Sequence, residues 1–130
     1  MTSRERGEEG MIDHVGFEVA DLQRSARFYD AVFFALGVRR MLQSESAIAY
    51  GINDPQLWIV VRGRAPGPGY GHVALSATGK AAVDAAHAAG LAQGGSDAGA
   101  PGQRPQYGRR YYAGYLHDPD GLRVEVVARR

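Results

Sequence analysis

His14 and His72 open two stretches of the same design, Asp13-His14-Val15-Gly16-Phe17-Glu18-Val19-Ala20 and Gly71-His72-Val73-Ala74-Leu75-Ser76-Ala77-Thr78. In both, large apolar residues alternate with others, which is the period of a strand buried on one face. With Val15, Phe17 and Val19 packed inward, His14, Gly16 and Glu18 face the other way; with Val73, Leu75 and Ala77 packed, so do His72, Ala74 and Ser76. The same parity in Arg123-Val124-Glu125-Val126-Val127-Ala128 buries Val124 and Val126 and turns Arg123 and Glu125 toward the histidines. Two imidazoles and a carboxylate on one concave surface can hold a divalent ion from one side and leave positions open for a substrate. The alternative is a pair of hydrogen-bonded histidines with Glu125 paired to Arg123, and Glu18 can also reach for Arg123.

The elements that must position these residues repeat as well. Asp21 is a candidate N-cap for a helix whose Leu22, Ala26, Tyr29, Val32, Phe33 and Leu36 form one stripe, and Gly37 can end it. In the second half Thr78 is the candidate cap, Lys80 to Ala89 is Ala-rich, and Gly90 is the expected stop. Material for three short strands follows each helix, ending in Gln56-Leu57-Trp58-Ile59-Val60-Val61 and in Arg123 to Ala128, each entered through turn residues: Asn53-Asp54-Pro55 and Asp118-Pro119-Asp120-Gly121. The predicted fold is α+β: two βαβββ modules, 11–63 and 70–128, whose mixed sheets close around a shared cup. Residues 64–69 join them as a Gly- and Pro-rich linker within one domain spanning 11–130. The Gly- and Pro-rich stretch from Gly94 to Gly108 reads as a mobile loop over that cup. His87, on the Ala-rich helix, is expected at the surface, and His117 at a solvated strand end.

Composition narrows the function. Fifteen Lys and Arg against fourteen Asp and Glu give a net charge of +1, too balanced and too scattered for a nucleic-acid groove or an anionic membrane surface. There is no cysteine, so a metal would be held by His and carboxylate. No apolar run approaches the ~20 residues that span a bilayer. The charged segment 1–10 lacks the apolar core of a signal peptide and is expected to be disordered, which makes the cytoplasm the expected location.

Ile12-Asp13-His14-Val15, Asp21-Leu22-Gln23-Arg24-Ser25 with Phe28-Tyr29, Gly71-His72-Val73-Ala74-Leu75, and Asp118-Pro119-Asp120-Gly121-Leu122-Arg123-Val124-Glu125 together resemble the vicinal oxygen chelate superfamily from about Met11 to Ala128. That superfamily includes glyoxalase I, extradiol dioxygenases, and fosfomycin- and bleomycin-resistance proteins. The resemblance implies His14, His72 and Glu125 as metal ligands, a divalent ion (Fe, Mn, Ni, Zn or Co), a small oxygenated substrate and a homodimer. Trp58 stands where glyoxalases place a fourth, carboxylate ligand, which argues against glyoxalase I chemistry. Tyr115 lies as far before Glu125 as the active-site tyrosine lies before the last ligand in the dioxygenase and fosfomycin branches, and this implies catalytic roles for Tyr115 and Glu125. The extradiol branch also uses a histidine outside the ligand set for proton transfer, and no His occurs between His14 and His72.

Beside the resemblance, Trp58 is either a stacking wall for a planar ligand or a plug in the cup. Tyr107, Tyr111 and Tyr112 sit in the loop able to close over it, and Arg104 and Arg109 can meet an anionic group. Trp58, Tyr107, Tyr112 and Arg104 are the substrate-binding candidates. The expected function is a metal-dependent lyase, isomerase or dioxygenase; its rival is a metal-free binding protein of the bleomycin-resistance type.

Overall fold

The computed structural model describes residues 11–67, 69 and 71–129, so the segment 1–10 lies outside it. Strand β1, Val15–Glu18, leads into Asp21, whose extended backbone and carboxylate accepting from the Arg24 N–H at 3.0 Å start helix α1, Leu22–Ala35. Leu22, Ser25, Ala26, Phe28, Tyr29, Val32 and Phe33 are its buried stripe. Gly37, at φ +75°, turns the chain out of the helix in a conformation that L side chains rarely adopt. Strands β2 (Arg39–Gln43), β3 (Ala47–Gly51) and β4 (Pro55–Val60) follow. The sheet runs β1-β4-β3-β2, with β1 parallel to β4 and the remaining pairs antiparallel.

The second module repeats this plan. Strand β5 is His72–Ser76, helix α2 is Lys80–Ala92, and β6 (Ser96–Gln103), β7 (Tyr112–His117) and β8 (Arg123–Ala128) complete a sheet ordered β5-β8-β7-β6. Again β5 and β8 are parallel and the other pairs antiparallel. The fold is therefore the expected α+β pair of βαβββ modules.

Three local expectations are corrected. The residue before α2 is Gly79 rather than Thr78, and no side chain caps that end. Gly90 does not stop α2, which runs on to Ala92. A Cβ there would lie 2.6 Å from Leu116 Cδ1, 3.0 Å from Val32 Cγ2 and 3.1 Å from Phe28 Cε1, so the glycine is where the two helices approach each other and β7. Finally, the stretch 94–108 is not one loop. Residues 96–103 pair with β7 through their backbone, an edge strand interrupted at Gly99 and Gly102, and only the segment between β6 and β7 remains a loop.

The modules meet helix on helix, around a common core of Phe28, Tyr29, Val32, Val83, Leu116 and Val124. The turn at Asp118–Gly121 fastens them further. Asp118 accepts from its own turn at Asp120 N and Leu122 N, both 2.9 Å, and from the Tyr29 hydroxyl at 2.7 Å. Asp120 accepts from Ala20 N at 3.2 Å, Arg24 Nη2 at 2.7 Å and Ser25 Oγ at 3.3 Å, all at the start of α1. Burial, reinforced by the Asp118 charge, pushes the Tyr29 hydroxyl well above its ordinary pKa, so this clamp stays neutral on the tyrosine side. Among the described residues no helix is long and apolar enough to cross a membrane.

Candidate functional site

On each sheet one face packs on its helix and the other carries the residues that could do chemistry. In the second module the parallel register sets His72 beside Arg123 and Ala74 beside Glu125, while the antiparallel register sets Tyr115 opposite Glu125. His72 Nε2 and Glu125 Oε1 are 3.3 Å apart, the imidazole half exposed and the carboxylate buried. Glu125's other oxygen, Oε2, accepts a short hydrogen bond from the Tyr111 hydroxyl. That bond, with burial second, pushes the Tyr111 hydroxyl up to about 12.

Tyr111 reaches Glu125 because the β6–β7 connection folds back on itself. Arg104 N donates to Tyr111 O at 2.8 Å, and Tyr107 N donates to Arg104 O at 2.9 Å. The Tyr107 and Tyr111 rings meet edge to face with centroids 5.4 Å apart, and the Arg129 guanidinium lies 4.8 Å over the Tyr111 ring. Tyr115 is flanked by the guanidinium groups of Arg123, 4.4 Å from its ring centre, and Arg104, at 5.4 Å. Burial, then the Glu125 charge, raises the Tyr115 hydroxyl, against the opposing pull of the two arginines.

The first module bears its own pocket, of about 290 Å³, lined by His14, Gly16, Glu18, Trp58, Val60 and Arg62 among others. His14 Nδ1 is 2.7 Å from Asp13 Oδ1, an arrangement that orients the ring and leaves Nε2 available as a ligand. Trp58 lines this pocket on the strand face opposite the core residues Leu57 and Ile59, as the alternation required.

The structure thus brings together His72, Glu125, Tyr115 and Arg104, and places His14 and Trp58 together elsewhere. Among the described residues no three His, Cys, Asp or Glu side chains gather closely enough to hold an ion, so one chain alone does not bring His14 to the His72–Glu125 pair. The modules meet through their helices, which leaves the two ligand-bearing faces apart.

Other expectations change as well. Glu18 does not pair with Arg123; Arg64 holds it at 2.8 Å and 3.2 Å, with Arg62 at 3.9 Å, because the chain leaving β4 passes beside β1. The Arg64 hydrogen bond is the main reason its carboxyl titrates below the ordinary range. Tyr112 turns away from the Glu125 face, its hydroxyl donating to Asp84 of α2 at 2.6 Å. Parity held the signal: Tyr111 and Tyr115 are both odd-numbered and share the Glu125 side, and Tyr112 does not. Tyr107 remains exposed, its ring packed edge to face against that of Tyr111. His87 is buried, its Nε2 3.0 Å from Asp97 Oδ1 and 3.2 Å from the Tyr115 carbonyl oxygen. Val83, Ala86, His87 and Gly90 form the buried side of α2, a helical spacing legible beforehand.

The sequence profile of the Glyoxalase/Bleomycin resistance protein/Dioxygenase superfamily matches residues 11–126. The chain belongs to this superfamily. A glyoxalase/bleomycin resistance protein from Albidiferax ferrireducens T118 is 31% identical, superposes with a TM-score of 0.83, and shares 93% of this chain and 100% of its own. A glyoxalase-related enzyme from Fulvimarina pelagi is 26% identical, with a TM-score of 0.71 over 88% of this chain and 86% of that one. The fosfomycin resistance protein FosX from Mesorhizobium loti, at 23% identity, a TM-score of 0.66 and 92% coverage of both chains, shares the fold. No curated protein matches the sequence significantly.

The donor chemistry fits a divalent ion. Imidazole and carboxylate suit the middle and later first-row metals, and two donors sharing one ion at about 2.0–2.2 Å each must lie within about 4 Å of one another. His72 and Glu125 do, at 3.3 Å.

Proposed function

We propose that this superfamily member is a divalent-metal-dependent enzyme of the lyase, isomerase or dioxygenase type, acting on a small oxygenated substrate, and that two copies of the chain complete its site. His72 and Glu125 of one copy would hold the ion together with His14 of the other, whose Trp58 would form the facing wall. The observation that carries this reading is the His72–Glu125 pair, two donors at 3.3 Å on a face that its own helix does not cover. A bound ion would act there as a Lewis acid toward the substrate's oxygen atoms. Tyr111 holds one oxygen of Glu125 and so directs the other toward His72. Tyr115, opposite Glu125 in the register, is positioned to donate to a substrate oxygen as negative charge gathers on it. Trp58 excludes water from the side where a fourth carboxylate ligand would otherwise stand.

That same tryptophan favours a second reading, a metal-free cup of the bleomycin-resistance kind, because β4 contributes an aromatic wall to the His14 pocket where a carboxylate would serve a metal. Titration with Mn²⁺, followed calorimetrically, separates the two. Metal-dependent chemistry requires Mn²⁺ to bind wild type with a defined stoichiometry and His14→Ala and His72→Ala each to lose it. Mixing those two variants under conditions that allow exchange should restore about a quarter of the sites, since half the dimers are mixed and each has one intact site. Wild type that binds no divalent ion would overturn the metal reading. Variants that lose metal alone and do not recover on mixing would overturn the shared site.

A further inference from the structure

The charges around Glu125 do not balance. Three guanidinium groups lie on the two tyrosines that flank this carboxylate: Arg123 and Arg104 on Tyr115, and Arg129 on Tyr111. Among the described residues none of the three makes an ion pair with a carboxylate. Among the described residues, one acid against three arginines leaves two positive charges in excess on this face, before any divalent ion adds its own. Nearby acids are already engaged. Asp97 serves His87 and the Gly99 N–H, while Asp118 and Asp120 face the start of α1.

The two arginines on Tyr115 differ in how they are held. Arg104 is fixed, its Nη2 donating to Ala100 O at 2.6 Å and Ala113 O at 3.3 Å, and its Nε is buried without a partner. Arg123 is exposed and, among the described residues, rests on the ring alone, so its planar fork of donors remains available. It is also the direct cross-strand neighbour of His72. A guanidinium presented beside a candidate metal ligand, with its charge unmatched, recognises a planar oxyanion by paired hydrogen bonds.

We infer that the ligand of this face is a carboxylic acid in its ionised form, its carboxylate held by the fork of Arg123 beside Tyr115, with the fixed charge of Arg104 adding to the attraction, and its neighbouring oxygen turned toward His72 and Glu125. This rests on the proposed site for the position of the ligand, and not on metal being bound. A neutral diol, aldehyde or amide of the same shape leaves the excess charge unmatched and binds more weakly. A 2-hydroxy acid suits this face, since its hydroxyl can donate to Glu125 while its carboxylate meets Arg123.

Mandelate and its neutral counterpart mandelamide serve as probes, titrated calorimetrically into the full chain with and without Mn²⁺. Wild type should bind mandelate at least about tenfold more tightly than mandelamide, with a preference that falls as NaCl rises. Arg123→Met keeps most of the stem and should remove the greater part of that preference by weakening mandelate alone. Arg123→Lys keeps the charge but not the fork and should recover only part of it, and thermal melts of both variants confirm folding. Equal affinities for the two probes, or no binding of either, would overturn the inference, as would a preference unchanged in folded Arg123→Met and Arg104→Met. Mn²⁺ bound without a mandelate preference refutes this inference and leaves the metal site standing. A mandelate preference without any Mn²⁺ binding does the reverse.

Discussion

Replacing Tyr111 with Phe removes a single hydroxyl that donates to the buried carboxylate of Glu125, and it tests whether that contact holds Glu125 in place. A hydrogen bond to a charged acceptor contributes about 1.5–3 kcal/mol. Tyr111 is half-buried, so solvent screening lowers this to about 1–2 kcal/mol. For a chain of 130 residues, with an unfolding entropy of about 2.1 cal/mol/K per residue, that loss lowers Tm by roughly 4–7 °C.

Alkaline pH gives an independent reading. The folded Tyr111 hydroxyl titrates at about 12 against an ordinary value of 10.0, so its neutral form is favoured by folding. Its stabilisation is fully present below pH 10, where both states are protonated, and is lost as pH rises from there through about 12. Tyr29, Tyr50, Tyr112 and Tyr115 are raised too and contribute to the alkaline loss in both proteins. The informative quantity is therefore the difference in Tm between wild type and Tyr111→Phe. It should be constant from pH 7 to 9.5 and shrink above pH 10. Melts by circular dichroism measure it, and a change below about 1 °C at neutral pH, or a difference that grows with alkalinity, refutes the reasoning. Freed of its orienting partner, Glu125 should also bind Mn²⁺ about tenfold less tightly in the variant.

Tyr115→Phe should retain Mn²⁺ affinity while Glu125→Gln loses it, a contrast that calorimetry reads without any substrate; equal losses would make Tyr115 a structural part of the ion site. Trp58 is the chain's single tryptophan, so its emission reports on the His14 pocket: addition of Mn²⁺ and mandelate should quench it in wild type and leave it unchanged in His72→Ala. Gly90→Ala should destabilise the fold by up to about 2 kcal/mol, since overpacking of about 1–3 kcal/mol against Leu116, Val32 and Phe28 is offset by a gain of about 1 kcal/mol in helix propensity. A Tm at or above wild type would show that the helices separate freely at that point.

What could be read beforehand followed from periods, and what could not followed from tertiary choices. Alternation in β1, β4, β5 and β8 placed His14, Trp58, His72 and Glu125 on the faces opposite the helices, because a strand fixes side-chain parity regardless of what lies far away. The duplicated order of elements was legible for the same reason: each module is a local unit with its own turns and caps. Three things depended on tertiary packing. Gly90 reads as a stop in sequence and becomes a close approach only because α1 and Leu116 lie against it. The spacing of Val83, Ala86, His87 and Gly90 put His87 on the buried side of α2, but its partners, Asp97 and the Tyr115 carbonyl, come only from the packing of that helix on β6 and β7. Glu18 follows Arg64 rather than Arg123 because β1 pairs with β4 within its own module.

The ligand triad has the same logic at a larger scale. Parity gives each of the three residues its face, but whether the faces meet depends on how modules pack, and here the apolar stripes of α1 and α2 pack on one another. Phe28, Tyr29 and Val32 from α1 and Val83 and Ala86 from α2 are buried in that one core. Burying these side chains satisfies the chain's strongest apolar demand through the helices, so His14 and the His72–Glu125 pair are left on separate, accessible faces. A mutation that separates the helices therefore need not touch either face to disturb both. Loss of Mn²⁺ binding in a folded Gly90→Ala, with His14, His72 and Glu125 intact, would show the helix seam to set the spacing of the ligands; unchanged affinity would show the faces to be positioned by their sheets alone.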